Sequence, residues 1–314
     1  MQQQKSGQRK RFKLNERKRD AIFFYILVAP FVIMFFAIKV VPFINGLYLS
    51  FTNYTGYNYG RQEFVGLRNY FRVLVDDHAM RALGQTFLIG VITVPLGLMV
   101  GLFSAMLLNK ARRGLGIFRT IVYLPAIIPT VATGLMWKII FNKNEGLLNF
   151  LLAPLGIEPI NWLGYDYILA ALIIMMTWSS TGTLLLNLAA LQNIPEALYE
   201  AASIDGANGW KKFWKITIPM ISPVLFFNLL MGIINGLQLY AQPVLLAPGT
   251  NGVLNLPLKP TYTYMVHAYQ QILGYSRFGY GLAMIWILVI LINVLTVIVL
   301  KTQKYWVFYG GTED

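Results

Sequence analysis

The 314-residue chain contains no cysteine, so no disulfide holds a loop, no thiolate acts as nucleophile, and the redox compartment is left open. Histidine is nearly absent: His78 and His267 are the only two, with no HExxH helix or GxSxG elbow beside them. The dipeptide Gly-Lys never occurs, which removes the usual P-loop cradle for nucleotide phosphates. No residue is assigned to catalysis or to a metal. Charge is sparse as well, at 12% of residues with 13 acids, about half of what a soluble domain carries.

What is present is apolar. Hydrophobic residues make up 56% of the chain and the mean hydropathy is +0.55, which places it in the membrane class. A spanning helix needs about 20 apolar residues, and six runs qualify: roughly Ala21 to Leu49, Leu83 to Leu108, Ile117 to Phe141, Tyr167 to Leu191, Ile221 to Leu246 and Tyr280 to Leu300. The expectation is an all-α polytopic protein. It has one transmembrane domain over residues 21–308, a basic tail over 1–20 and a short tail over 309–314. The first apolar run is too long for a cleaved signal peptide and is read as a retained span.

The net charge of +13 would suit a nucleic-acid binder if the cations shared one soluble face, but they do not. Placing the amino terminus in the cytoplasm puts 17 of the 26 Lys and Arg residues in inner segments. The positive-inside rule accounts for that bias, and nucleic acid is not among the expected partners. Both termini are then cytoplasmic, and the tail's cations suit an anionic lipid surface.

Several spans carry polar or small residues in register. In the second, Gly90, Thr93, Gly97, Gly101 and Ser104 form a small-residue stripe that lets another helix approach closely. In the third, Pro125 and Pro129 share a face and should bend the helix. The fourth carries Met176, Ser180, Thr183 and Asn187 on one side, and the fifth Asn228, Asn235, Gln238 and Gln242. Amides on a bilayer helix need partners from another helix, water or a ligand. No carboxylate or histidine lies inside the spans, and Lys39 and Lys138 sit toward outer ends where a long side chain reaches the interface. This lining suits a neutral solute.

The segment between the fourth and fifth spans, residues 192–219, combines acids and bases. Glu196 and Glu200 sit near the positive end of one helix, Ala197, Ala201 and Ala202 keep it thin, and Asp205 with Gly206 supplies a turn. Trp210, Phe213, Trp214 and Thr217 then share one face and Lys211, Lys212 and Lys215 another, as in a helix lying at a membrane surface. The pattern Glu200-Ala201-Ala202, Asp205-Gly206 and a closing Ile-Thr-Ile-Pro resembles the cytoplasmic signature loop of ABC importer permeases. PFINGLYLSFTNY at the end of the first span, FVGLRNYF from Phe64 to Phe71 and FRTIVYLPAIIPTVATGLMW from Phe118 to Trp137 are similar to the sugar permeases of the maltose-transporter type. LAPGTNG from Leu246 to Gly252 departs from that subfamily's Gly-Gly-rich turn.

The resemblance implies a type I ABC importer permease fold in a bacterial or archaeal cell membrane. It implies a second permease chain, two ATPase subunits that hold ATP and Mg, and an external solute-binding protein that delivers carbohydrate. No cofactor is then expected in this chain. Glu200, Ala201, Ala202, Asp205 and Gly206 would dock as a coupling helix into the ATPase. Thr177, Trp178, Ser180, Asn235, Gln238 and Tyr240 would contact sugar, the amides and hydroxyls by hydrogen bonding and the rings by stacking. Two other classes share the same composition, a secondary transporter and a non-transporting membrane scaffold. ATP-dependent uptake insensitive to uncouplers separates out the first, and any solute flux excludes the second.

Overall fold

The computed structural model describes residues 16–109, 115–248 and 257–309. Most of the basic amino-terminal tail, the middle of the Asn109–Gly116 loop, the end of the Leu246–Gly252 turn and nearly all of the carboxy-terminal tail lie outside the described residues. The chain forms two compact units, residues up to Leu49 and residues from Ser50 onward.

The first unit is essentially one helix, α1 (Lys18–Ser50). Leu27 and Phe31 are exposed, as a lipid-facing surface requires. Pro42 has no N–H to give to the helical ladder, and the turn before it widens so that the Val41 N–H reaches Phe36 O, five residues back. The helix therefore continues through the proline.

The second unit contains α2 (Arg68–Leu74), α3 (Asp77–Asn109), α4 (Leu115–Ile127), α5 (Thr130–Ile140), α6 (Leu147–Leu152), α7 (Ile168–Ser179) and α8 (Leu184–Gln192). It continues with α9 (Glu196–Ile204), α10 (Gly209–Leu237), α11 (Ala241–Leu246), α12 (Tyr264–Tyr269) and α13 (Phe278–Trp306). Among the described residues there is no sheet, only one antiparallel bridge between Thr52 and Phe64. Helices α1, α3, α10 and α13 are each long and apolar enough to span a membrane. Two bent pairs bring the number to six, Thr120–Ile127 with Thr130–Ile140 at 113° and Ile168–Ser179 with Leu184–Gln192 at 42°.

The sharper bend falls at Pro129, which is extended (φ −57°, ψ 141°) and caps α5. Proline lacks the donor and also disfavours helical geometry in the residue before it, so the expected bend is a full break. The milder bend is a tight turn over Ser180–Thr183, where Ser180 Oγ donates to Thr177 O (2.6 Å) and Thr183 Oγ1 to Ser180 O (3.2 Å). Hydroxyls bonding back to carbonyls compete with the helical ladder.

Helix α3 is the axis of this unit. Ile89 joins a cluster with Trp137, Leu172 and Met175, Ala79 one with Tyr264 and Met284, and Leu108 one with Leu184 and Ile221. Its small-residue stripe is where the fourth and fifth spans close in. A Cβ on Gly97 would stand 3.0 Å from Ser180 Cβ, and one on Gly101 would overlap Thr183 Oγ1. From the other side, a Cβ on Gly232 of α10 would stand 2.9 Å from Val94 Cγ1.

At the Asp77 end of α3, Asn69 of the FVGLRNYF segment is buried and donates to both Ser50 O (2.8 Å) and Thr52 O (2.9 Å). Tyr280 OH donates to Asp76 Oδ2 at 2.6 Å, tying α13 to the start of α3. Burial holds His267 below its ordinary range, although Asp76 beside it works the other way.

Replacing Gly101 with Val should lower thermal stability by about 1–3 kcal/mol, because Thr183 and Asn187 must yield. A Cβ on Gly90 meets nothing within 4 Å, so Gly90→Ala should stay within about 0.5 kcal/mol. Melting curves of the two purified variants check this, and equal melting temperatures would remove the close-approach account.

Candidate functional site

Two features stand out, a turned helix pair at the Asn109 end of α3 and a polar cavity halfway along it. In the helix pair, Pro195 is the residue just before α9. The helix ends in a Schellman motif: Gly206 adopts φ +72°, its N–H reaches Ser203 O (3.1 Å), and the Ala207 N–H reaches Ala202 O (2.8 Å). A side chain at Gly206 would meet open space, so the requirement for glycine is purely conformational. Asn208 caps the next helix by accepting from the Lys211 N–H at 2.9 Å.

The run after the turn is not a separate surface helix, as the amphipathic pattern suggested. Residues 209–217 are the first turns of α10, which continues to Leu237. The physical reason repeats that at Pro42. Pro219 cannot donate, and the turn over Phe213–Thr217 widens so that the Ile218 N–H bonds Phe213 O instead of breaking the helix.

Tyr199 OH and Thr217 Oγ1 are 2.9 Å apart, and Lys212 Nζ donates to Ser203 Oγ, so one side of α9 is tied to the base of α10. The remaining surface of α9 presents Glu200, Ala201 and Ile204, the last 88% exposed, with Asp205 and Gly206 at its end. Ala202 is half-buried.

The cavity holds about 630 Å³. Helix α3 contributes Thr93, Val94 and Gly97, the Ser180–Thr183 turn contributes Ser180 and Thr183, and α10 contributes Asn228 and Asn235. Gln238, Tyr240 and Gln242 complete it from the stretch after α10, with Met176 and Met231 as apolar wall. Of the expected sugar contacts, Ser180, Asn235, Gln238 and Tyr240 therefore meet in one space. Thr177 and Trp178 do not line it. Trp178 packs edge-on against Trp137 at 5.8 Å, and Thr177 Oγ1 is buried without a hydrogen-bond partner among the described residues.

The fifth span also differs from the expected continuous helix to Leu246. It ends at Leu237, and Gln238, Leu239 and Tyr240 form a break before α11. Pro243 has no N–H for Leu239 O, which instead accepts from Thr263 Oγ1 at 2.6 Å. Tyr240 stacks against Tyr269 with ring centroids 4.4 Å apart.

The four amides of the fifth span divide. Asn228 Nδ2 donates to Asn187 Oδ1 at 2.9 Å, both residues being buried, so this pair joins helices. Asn235, Gln238 and Gln242 make no hydrogen bond to any described residue, and Asn235 and Gln238 are exposed to the cavity. The part played by α3 was visible in sequence only as a packing stripe; Thr93 and Gly97 of that stripe are also cavity wall.

A helical bundle with broken spans, a mid-depth polar cavity and a turned helix pair at one end defines a polytopic membrane protein of the permease class. The family described as binding-protein-dependent transport system inner membrane component matches residues 94–304, and the chain belongs to it. Among its relatives, the probable ABC transporter permease protein YesP of Bacillus subtilis is 36% identical over 301 residues, 95% of each chain. The arabinooligosaccharides transport system permease protein AraP of Bacillus subtilis is 33% identical, covering 88% of this chain and 87% of its own. The trehalose/maltose transport system permease protein MalF of Thermococcus litoralis is 34% identical, covering 74% and 80%. The fold is shared with a chain of a bacterial ABC transporter involved in the import of alginate, with a TM-score of 0.75 at 21% identity over 92% of this chain and 97% of that one.

Proposed function

We infer that this chain is the membrane-spanning permease subunit of an ATP-driven, binding-protein-dependent importer, and that its solute is a carbohydrate, most simply an oligosaccharide. The observation that carries the reading is the 630 Å³ cavity, in which the Asn235, Gln238 and Gln242 amides lack partners among the described residues, beside the Tyr240 ring. Unpaired amides at bilayer depth need water, a ligand or another chain. Sugar hydroxyls, which donate and accept, match amides that do the same. The names of AraP and MalF, both permeases of oligosaccharide or disaccharide systems, support the same solute class.

The chain's own part is to bind, orient and expose. The Ser180–Thr183 turn and the Gln238–Tyr240 break are two discontinuities facing one space, so small helix movements on either side would open or close it. ATP and Mg would be held by two partner ATPase subunits, into which Glu200, Ala201, Ala202, Asp205 and Gly206 dock on the exposed side of α9. An external solute-binding protein would deliver sugar, a role supported by the alginate transporter solved in complex with its pentasaccharide-bound periplasmic protein. A second permease chain would complete the cavity. In this arrangement both termini face the cytoplasm.

Asn235→Ala and Gln238→Leu should each reduce sugar uptake by reconstituted transporter by about tenfold, the scale of one charge-neutral hydrogen bond lost together with its unpaired partner, while leaving basal ATP hydrolysis and the melting temperature unchanged. Asn228→Leu should instead lower the melting temperature, since Asn187 loses its partner. Normal uptake by both cavity variants would defeat the assignment.

Gly206→Val forces a β-branched residue into left-handed backbone, at a cost of about 1–2 kcal/mol. The chain should still insert and assemble, but ATP hydrolysis should no longer drive uptake. Coupled transport by this variant in vesicles would rule out the docking role.

The absence of cysteine makes orientation testable directly. Single cysteines at Arg72 and Lys259 should react with an impermeant thiol reagent in sealed cells, and one at Lys211 should not. Labelling at position 211 from outside would invert the arrangement.

A further inference from the structure

At the Asp77 end of α3, away from the α9 turn, lies a second and smaller pocket of about 190 Å³ that shares no lining residue with the polar cavity. Thr52, Asn53, Arg68, Arg72, Arg277 and Tyr280 line it. Three exposed arginines thus line one space, two from α2 and one from the residue that precedes α13. Mutual repulsion disfavours such a cluster unless an anion offsets it. Among the described residues no carboxylate oxygen lies within 4.0 Å of any of the three.

Two acids of this region, Glu63 and Asp76, are engaged elsewhere. Glu63 Oε2 accepts from Asn53 Nδ2 at 3.4 Å, and Asp76 Oδ2 accepts from Tyr280 OH at 2.6 Å. Arg72 and Arg277 lie over the Tyr280 and Tyr275 rings at 5.7 and 5.6 Å, which orients their planes. Neither guanidinium hydrogen-bonds to a described residue, so among these residues their N–H groups meet no acceptor.

The backbone adds to the positive potential. Helix α13 starts at Phe278, so the positive end of a 29-residue helix meets the pocket at Gly279 and Tyr280. Ser276, just before Arg277, is held at φ +52°, the left-handed region that non-glycine residues rarely occupy. Gly279 allows Tyr54 O to accept from its N–H at 2.8 Å, which fixes the 52–55 wall against the helix start.

The pocket also sits at a defined depth. It lies where a span ends, and Tyr54 on its wall packs against Tyr59 and Phe278 at 5.9 and 5.4 Å. Tyrosine-rich ends of spans mark the level of lipid headgroups. We propose that this pocket binds a phosphate-bearing anion at headgroup depth, with Arg68, Arg72 and Arg277 supplying forked, charge-assisted hydrogen bonds to the phosphate oxygens. An anionic phospholipid and free phosphate present the same chemistry, and they differ in how they are displaced.

The test uses the complete transporter in nanodiscs of phosphatidylcholine doped with phosphatidylglycerol, with retained lipid counted by native mass spectrometry. Arg72→Gln together with Arg277→Gln should weaken retention of phosphatidylglycerol, or binding of radiolabelled inorganic phosphate, by about tenfold or more. Arg277→Lys keeps charge but loses the fork, and should restore only part of it. Lipid retention that withstands excess inorganic phosphate identifies the headgroup as occupant; displacement by phosphate identifies the free anion. Equal retention of lipid and phosphate by wild type and the double variant would overturn the proposal, as would a variant defective only in engaging the solute-binding protein. Sugar uptake plays no part in the readout, so failure here leaves the carbohydrate reading standing.

Discussion

The close approach of backbones along α3 is the constraint from which the rest of the second unit follows. Without side chains at Gly97 and Gly101, the Ser180–Thr183 turn and Asn187 settle directly against α3. Gly232 and Gly236 let α10 settle against Val94 on the other side. In a bilayer there is no hydrophobic gain from pushing helices together, so contact of this kind and the Asn187–Asn228 hydrogen bond have to hold the spans. Each such bond contributes about 1 kcal/mol, and the packing of small residues supplies the remainder. The same closeness leaves the polar groups just beyond the contact, Ser180 and Asn235, facing a shared cavity rather than lipid.

Proline has two opposite effects in this chain, and the difference lies in what the preceding turn does. Before Pro42 and Pro219 the turn widens by one residue, an N–H finds an acceptor five residues back, and the helix carries on. At Pro129 and around Pro243 the ladder stops, and the freed acceptor at Leu239 is met by a threonine hydroxyl from the loop before α12. The widened turns preserve long rods, and α10 thereby runs unbroken from the turn after Gly206 to the cavity. Anything that moves Trp210 and Lys211 at one end moves Asn235 at the other, because no break separates them.

Much of this was legible in the residues. Six apolar runs, the small stripe of the second span, the bend at the paired prolines and the left-handed turn at Gly206 all follow from local chemistry, which a single chain displays in full. The limits are equally physical. Helical periodicity placed Gln238 on a helix face, but Pro243 ended that helix earlier, and Gln238 reached the same cavity from irregular backbone. Thr177 and Trp178 were assigned through the resemblance to sugar permeases, yet Trp178 packs on Trp137 and neither residue lines the cavity. The arginine pocket draws on Arg68 and Arg277, which no local pattern connects.

The exposed surface of the chain is of two chemically different kinds. Helix α1 exposes apolar side chains along its length, such as Phe31 and Ile33, a surface that hydrocarbon satisfies. Asn235 and Gln238 are exposed too, but at bilayer depth an amide without a partner costs several kcal/mol. Hydrocarbon therefore cannot be their neighbour. Water satisfies them only in a space closed off from lipid, and within the second unit Met231, Asn235 and Gln238 line the cavity while remaining exposed. The second permease chain proposed above would keep lipid from these residues and leave the amides to solvent or solute. The case for that proposed partner thus rests on desolvation at Asn235 and Gln238 beside the resemblance to other transporters.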